Sequence, residues 1–230
     1  MWLAIATDIR NSIAEGQYVQ GGKLPTETAL AQRYGVNRHT VRHAFSKLIE
    51  EGLLRSRRGS GTFVANRPTD YPIGERVRFH ENLMAAGRHP QKRVLQIEMR
   101  GAASGEAVAL QISPGAQVCA YHGLSFADAA PVALFESIFP CDRLAGIGKA
   151  LETHSSVTKA LREVGVSDYT RQTTRLTAVS ANATQAQHLL LREGDPLLRS
   201  TGVNVDRDLT PVEFGRTFFA GQRVTLTLDT

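Results

Sequence analysis

The sequence predicts an α+β protein in two parts. One is a small N-terminal domain of three helices and a β-hairpin, and the other is a larger domain in which helices pack on a mainly antiparallel sheet. A length of 230 residues suits one large domain or two smaller ones. Apolar residues recur at helical spacing up to about residue 50, whereas strand-like segments alternate with short helical ones beyond residue 93. A segment with two prolines, 66–73, separates the two patterns and indicates a linker.

The composition is that of an ordinary globular protein, with 42% hydrophobic and 21% charged residues. No apolar run approaches the roughly 18 residues that a membrane-spanning helix needs. Asp8 and Arg10 interrupt what would otherwise be the apolar part of a signal peptide. We therefore expect a cytoplasmic protein without a membrane partner. Cys119 and Cys141 lack metal-ligand spacing, so we expect buried free thiols, no metal site and no cofactor.

The net charge of +5 is concentrated at the N-terminal end of the chain. Residues 1–67 contain 10 Lys and Arg against 5 Asp and Glu, and residues 68–230 contain 17 of each. A localised basic excess is typical of a domain that binds a phosphate backbone. A merely basic soluble domain would explain the charge, but not its coincidence with the helix signals of the same segment.

Two helices are predicted before residue 35. The first covers Trp2–Gly16, where isoleucines recur every four residues and a glycine ends the pattern. Because this pattern starts at the second residue, we expect the natural chain to begin slightly earlier. Thr26 is a suitable N-cap for the second helix, and Glu27 suits the positive end of that helix.

A third helix is predicted over Arg38–Glu51, after an N-cap at Asn37 and before a glycine. Apolar residues at helical spacing give this helix one buried face. Two arginines and two histidines lie near its start and away from that face, namely Arg38, His39, Arg42 and His43. Such residues are typical of a helix whose N-terminal end enters a DNA major groove. When this helix is considered by itself, the alternative to a DNA-recognition helix is an amphipathic helix whose basic face is solvated.

The residues after Gly52 predict a hairpin with a basic, glycine-rich tip. Short strands at 53–57 and 62–65 are joined by Arg58-Gly59-Ser60-Gly61. Glycines let a backbone approach a phosphate or a minor groove closely, and Arg57 and Arg58 supply positive charge there. Three helices followed by such a hairpin form a winged helix–turn–helix.

We predict domain boundaries at 1–66 for the winged helix–turn–helix, 67–77 for the linker and 78–230 for the second domain. The predicted strands of the second domain are 93–100, 116–126, 132–139, 170–179, 197–205, 210–220 and 224–228. Its predicted helices are 78–86, 105–110, 143–150, 156–165 and 184–191. Long neighbouring strands separated by turn signals favour an antiparallel sheet with helices packed on it.

Four N-terminal motifs resemble the DNA-binding domain of the GntR family of transcriptional regulators. They are Leu24-Pro25-Thr26-Glu27, Gly35-Val36-Asn37-Arg38-His39-Thr40-Val41-Arg42, Glu51-Gly52-Leu53-Leu54 and Gly59-Ser60-Gly61-Thr62-Phe63-Val64. The resemblance implies DNA contacts from Thr26, Arg38, Thr40, Arg42 and the wing around Ser60 and Gly61. Together with the basic residues above, the predicted DNA-binding set is Thr26, Glu27, Arg38, His39, Thr40, Arg42, His43, Arg57, Arg58, Ser60 and Gly61.

The second half resembles the effector-binding domain of the HutC branch of that family, the UTRA domain, whose fold is shared with chorismate lyase. The resemblance is carried by Phe126-Ala127-Asp128 with Pro131, by Ser156 at a helix start, by Pro196-Leu197-Leu198 and by Pro211-Val212-Glu213-Phe214. Within this branch, Asp70-Tyr71-Pro72-Ile73 and Arg78-Phe79-His80-Glu81-Asn82-Leu83 resemble regulators of phosphonate uptake and breakdown.

A phosphonate or phosphate ester needs arginine forks or hydroxyls in a partly enclosed site. Many HutC regulators of phosphorylated ligands place arginines on the strand before the Ala-Asp turn, where this chain has Gly123 and Ser125. This difference argues against a phosphosugar. The remaining candidates, of which the two glutamates would orient an amine or hydroxyl, are Arg78, Ser125, Glu136, Ser156, Arg175, Glu213 and Arg216. Without strand register, residues that face a pocket cannot be separated from those that face solvent.

These features predict a ligand-responsive repressor that binds double-stranded DNA at a palindromic operator as a homodimer and responds to a small anionic effector. One alternative is the same kind of regulator for a phosphosugar, a histidine-pathway acid or a fatty acid. The other alternative is an enzyme, because the second domain resembles a lyase fold. However, the sequence contains no nucleophile elbow, metal-ligand set or phosphate loop. The sequence predicts neither the operator nor whether the effector weakens or strengthens DNA binding.

Overall fold

The computed structural model describes residues 1–19, 21–57, 59–65, 68–74, 76, 79–85, 87, 89–128, 130–154 and 156–228, apart from the side chains of Arg57, His80 and Ala85. The chain divides into two units, Met1–Arg67 and Pro68–Thr230. Each unit has its own buried apolar core.

The first unit contains three helices and a hairpin. In chain order these are α1 (Trp2–Ala14), α2 (Glu27–Tyr34), α3 (Arg38–Glu50), β1 (Leu54–Arg57) and β2 (Gly61–Val64). The two strands are antiparallel. The core of the unit is the shared apolar face of the helices, including Ile5, Ile9, Leu30, Val41, Phe45 and Leu48. The predicted winged helix–turn–helix fold is therefore confirmed.

Three local features that the sequence predicted fix the start of α2 and the turn between α2 and α3. The side chain of Thr26 accepts a hydrogen bond from the backbone N–H of Ala29 at 3.2 Å. The side chain of Asn37 accepts one from the backbone N–H of His39 at 2.8 Å. Gly35 ends α2 with φ of 63°, a conformation that costs glycine little. The turn therefore sets the direction in which α3 presents its first residues.

The second unit contains eight strands and five helices among the residues described. In chain order these are β3 (Thr69–Pro72), α4 (Phe79–Ala85), β4 (Pro90–Gly101), α5 (Ser104–Leu110), β5 (Gln117–Ala127), β6 (Ala130–Pro140), α6 (Ile147–Thr153), α7 (Val157–Glu163), β7 (Thr170–Ser180), α8 (Ala183–Leu189), β8 (Pro196–Val205), β9 (Pro211–Ala220) and β10 (Val224–Thr227). Six strands form one antiparallel sheet in the order β4-β5-β6-β9-β8-β7. The α+β prediction is confirmed.

Two details of the second unit differ from the sequence prediction. Residues 69–72, which the prediction placed in a linker, form β3 and pair in parallel with β10, and Tyr71 is buried there. Prolines near both ends of this short stretch suggested a linker, but an edge strand tolerates them. The helix predicted over 143–150 begins only at Ile147, after Gly146 with φ of 83°.

The register assigns the polar residues of the large sheet to two different faces. Successive side chains of a strand point to opposite faces, and directly paired residues of neighbouring strands share a face. One face contains Tyr121, Phe135 and Glu213, and its apolar residues pack against residues of α6 and α7. We call it the cavity face. The opposite face contains His122 and Glu136, and α5 and α8 pack against other parts of it.

Candidate functional site

The first turn of α3 presents two exposed arginines that share one carboxylate from α2. The Arg42 guanidinium donates to Glu27, with Nε 3.2 Å from Oε1 and Nη2 3.0 Å from Oε2. Arg38 Nη2 lies 3.6 Å from the same Oε2. Hydrogen bonding from Arg42 is the largest cause that lowers the pKa of Glu27. Glu27 therefore holds two predicted groove-reading cations side by side, four residues apart on one helix face.

The other predicted contact residues of α2 and α3 have different surroundings. His39 is exposed and Thr40 is half-buried at the start of α3. Thr26 is exposed, although its hydroxyl already caps α2. His43 stacks on Trp2 of α1, with ring centroids 4.4 Å apart and planes at 25°. The ring of His43 therefore contacts α1 while the residue remains exposed, and its DNA contact stays a prediction.

The wing has the glycine-rich tip that the sequence predicted. Gly61 has φ of 103°, and Ser60 is half-buried beside it. A side chain at Gly61 would meet Lys23 Cε at 3.0 Å, so this lysine lies against the wing. This contact could not be predicted from the sequence, because about 40 residues separate Lys23 from the wing. The predicted contact Arg58 lies outside the described residues, as does the side chain of Arg57.

The second unit contains a cavity of about 230 Å³ on the cavity face of the sheet, beside α7 and β3. Four basic residues line it, namely Lys92, Lys159, Arg162 and Arg171. Within the described residues, none of these four side chains has a hydrogen bond or ion pair. Lys159 and Arg162 are exposed, so the cavity is open to solvent on the α7 side. The arrangement suits a small anion.

Arg171 extends from edge strand β7 across a position where β8 has no side chain. Its Nη1 contacts the place that a side chain at Gly202 would occupy. Its Nε is buried and has no hydrogen-bond partner among the described residues. A buried guanidinium N–H without a partner is costly, so a bound acceptor would relieve that cost. Arg171 is therefore the most clearly unsatisfied cation of the cavity.

One carboxylate, Glu213 on β9, is held rigidly in the same cavity. It is buried, and its two oxygens accept hydrogen bonds from Ser137 Oγ and Asn204 Nδ2, each at 2.6 Å. Glu81 is the other acidic residue of the lining. Two carboxylates against four cations leave the cavity electropositive, with one fixed acceptor for a ligand hydroxyl or amine.

The structure divides the predicted effector residues into two groups. Ser125, Ser156 and Glu213 line the cavity. The register places Glu136, Arg175 and Arg216 on the opposite face of the sheet, away from this cavity, so their role in effector binding stays a prediction. There, Arg216 Nη1 donates to Glu136 Oε2 at 2.8 Å, and Arg175 pairs with Thr201, which in turn pairs with Arg216. Arg78 lies outside the described residues.

Sequence reasoning missed the four cavity cations, although one signal was available. Ser156, Lys159 and Arg162 recur at intervals of three, so they share one face of a helix. Lys92 and Arg171 lie on strands whose register cannot be read from the sequence. The space beside Gly123 is filled by the ring of Phe135, whose Cζ would lie 2.6 Å from a Cβ atom at position 123.

Comparison with known proteins identifies both units. Residues 3–64 match the family described as bacterial regulatory proteins, gntR family, and residues 85–225 match the UTRA domain. The chain belongs to the GntR family, in the HutC branch that combines these two domains. The members of this family are DNA-binding transcriptional regulators and not enzymes.

Similar proteins include an HTH-type transcriptional regulator, RB1450 of Rhizobium meliloti (strain 1021). It is 39% identical over 236 residues, which cover 100% of this chain and 95% of the relative. The probable transcriptional regulator PhnF of Escherichia coli (strain K12) is 32% identical over 213 residues, covering 92% and 88%. The crystal structure of PhnF from Mycobacterium smegmatis has a TM-score of 0.70 at 24% identity over 98% of both chains, which shows the common fold.

None of the helices described is both long enough and apolar enough to cross a membrane. Across the same described residues, no three His, Cys, Asp or Glu side chains are grouped as metal ligands.

Proposed function

We propose that this regulator is a ligand-responsive repressor that binds a palindromic operator as a homodimer. A small anion, of the phosphonate or phosphate ester type, would bind in the cavity and change the affinity for DNA. The observation that carries the proposal is the cavity of about 230 Å³ with four cations that have no hydrogen-bonded partner in the described part of the chain. Ligand binding at such a site changes the affinity for DNA only if the ligand binds one of two conformations of the protein more tightly than the other.

The paired arginines of α3 and the location of the net positive charge support the proposed DNA binding. Arg38 and Arg42 are exposed on the first turns of the helix, where base edges are read in helix–turn–helix proteins. The first 67 residues carry the whole net charge of the chain. In a dimer, two such helices would lie about 34–36 Å apart on one side of the duplex.

The size and charge of the cavity support the proposed binding of a small anionic effector. Its volume is below the range of about 300–1,000 Å³ that is usual for sites of drug-sized ligands, so a ligand of few atoms fits best. Arg171 can bind two oxygens of one phosphonate group at once. The assignment to phosphonates rests on the sequence resemblance and on similarity to PhnF of Escherichia coli.

A thermal-shift series on the full chain tests the effector class. We expect methylphosphonate or 2-aminoethylphosphonate to stabilise the protein, by about 2.7 kcal/mol at 100 times its Kd. Glucosamine 6-phosphate, urocanate and a fatty acid represent the alternative effectors. Stabilisation by one of these, with none by the phosphonates, would overturn the phosphonate assignment.

A gel-shift series with fragments of the regulator's own promoter tests repression. We expect a specific complex on a palindromic fragment at moderate salt, and a change in its stability when the stabilising ligand is added. Absence of a specific complex on every such fragment would contradict the operator proposal. A reporter gene behind the bound fragment gives the sign of regulation, and activation instead of repression would correct it.

Replacing Glu27 with glutamine is expected to reduce the discrimination between operator and unrelated DNA. The substitution removes a negative charge near the phosphates, so affinity for unrelated DNA should rise by about 1.5- to 5-fold at low salt. Affinity for the operator should rise less, because Arg42 loses the carboxylate that orients it. The measurement is fluorescence anisotropy with both DNAs. Glu50→Gln, which removes an acid that pairs with Lys47 at the other end of α3, is the matched control.

A further inference from the structure

Lys92 of β4 places a primary amine between aromatic rings inside the cavity. Its Nζ lies 5.1 Å from the ring centroid of Phe135 and 5.9 Å from that of Phe79, and all three residues line the cavity. No hydrogen bond or ion pair to Lys92 is formed by the residues described. Among these residues the amine therefore has no charged or hydrogen-bonding partner, and it faces a space that a small molecule can enter.

These surroundings increase the neutral fraction of the Lys92 amine, although the ammonium still predominates at pH 7. Loss of hydration lowers the pKa of Lys92 to about 8, against a weaker raising effect from the Glu213 carboxylate. The two ring faces favour the ammonium only weakly, because a cation–π contact offsets a small part of the lost hydration. A neutral lysine amine in an apolar pocket is a nucleophile that forms imines with carbonyl compounds.

The other groups of the cavity define what a carbonyl ligand would carry. Arg171 and the α7 residues Lys159 and Arg162 are positioned to hold an anionic group. Ser125 and Ser137 offer hydroxyls on the same face of the sheet. The cavity therefore combines a reactive amine with an anion site, within a volume of about 230 Å³.

We propose that Lys92 is a carbonyl-binding site, at which a small aldehyde or ketone with a phosphonate, phosphate or carboxylate group binds as a reversible imine. This inference rests on the proposed function, because it places the covalent site in the proposed effector cavity. It goes further in naming a chemical class, an anionic carbonyl compound, and the atom to which it bonds.

The step is balanced without an oxidant or reductant. The lone pair of Lys92 Nζ attacks the carbonyl carbon, and a proton moves from nitrogen to oxygen to give a carbinolamine. Loss of this hydroxyl as water, with the second proton of the amine, forms the C=N bond. Addition of water reverses the step, so the ligand leaves unchanged. Glu213, one of the two carboxylates that line the cavity, offers a fixed oxygen to which the carbinolamine hydroxyl can donate a hydrogen bond.

Trapping the imine in the full-length protein tests the inference. Glyoxylate and glycolaldehyde phosphate are added with sodium cyanoborohydride, and labelled lysines are identified by peptide mass mapping. We expect Lys92 to be labelled at least about tenfold faster than the exposed Lys149 at pH 7, because its lowered pKa leaves more of the Lys92 amine neutral and the anion site holds the probe beside it. The labelling rate of Lys92 should level off above about pH 8, below the pH of about 10.4 at which a lysine of ordinary pKa would do so.

Two variants and two carbonyl-free anions complete the experiment. Lys92→Arg and Lys92→Met should both lose the adduct, and their melting temperatures report whether each variant still folds. Glycolate and ethyl phosphate should slow the labelling of Lys92 without forming an adduct. If these anions stabilise the protein but no carbonyl probe labels Lys92 preferentially, the covalent inference is wrong and the proposed anion site stands. If no anion stabilises the protein, the proposed effector site itself fails.

Discussion

Replacing Arg42 with alanine is expected to weaken specific operator binding by about 1–3 kcal/mol if the guanidinium reads a base edge. In the free protein this side chain is 56% exposed and is aligned by Glu27 alone among the described residues. Little folding energy therefore depends on it, and the loss should appear in binding and not in the melting temperature. Titration of operator and unrelated DNA at several salt concentrations measures the effect.

The salt dependence distinguishes two roles for Arg42. If it contacts only phosphate, affinity should fall equally on both DNAs, and the salt slope should decrease by about one counterion. Arg33→Ala removes the same charge from the last turn of α2, where Arg33 lies against Tyr34, and serves as the matched control. An equal loss of operator affinity in both variants would show that Arg42 contributes general charge and no base reading.

Replacing Gly202 with alanine is expected to lower the affinity for the anionic ligand at least tenfold, or about 1.4 kcal/mol. The added methyl group would overlap Arg171 Nη1 and the backbone carbonyl of Thr173. The Arg171 side chain and the backbone at Thr173 must therefore both shift, so Arg171 leaves its place above β8. Isothermal titration with the ligand found by thermal shift gives the affinity directly.

Gly215 provides a control on the neighbouring strand, because it pairs directly with Gly202. A methyl group there would have ordinary contacts, 3.8 Å from Glu213 Oε1 and 4.0 Å from the Gly202 carbonyl. We expect Gly215→Ala to retain ligand binding. The melting transition of each variant without ligand reports whether the second unit still folds, and we expect both variants to retain it. Equal loss of ligand affinity in the two variants would argue against a specific role for Arg171.

The first unit was largely predictable from the sequence because its structure depends on local signals. The caps at Thr26 and Asn37 and the left-handed Gly35 act within a few residues of where they occur. The ion pair between Glu27 and Arg42 was not predictable, since it depends on how two helices cross. The stack of His43 on Trp2 was missed for the same reason.

The candidate site of the second unit was only partly predictable because it depends on register. A shift of one residue moves a strand side chain to the other face of the sheet. Arg175 and Arg171 are both basic residues of β7, yet only Arg171 reaches the cavity. A β-bulge between Arg171 and Thr173 adds one residue to the alternation at that point, and no pattern in the sequence indicates it.

The parallel pair of β3 and β10 has a consequence for synthesis of the chain on the ribosome. Thr69 pairs with Val224, so the first and last strands of the second unit are some 155 residues apart in sequence. Contacts this distant form slowly and only after the intervening chain has been made. All strand pairs of the first unit, in contrast, lie within its own 67 residues. The DNA-binding unit can therefore fold while the effector-binding unit still awaits its final strand.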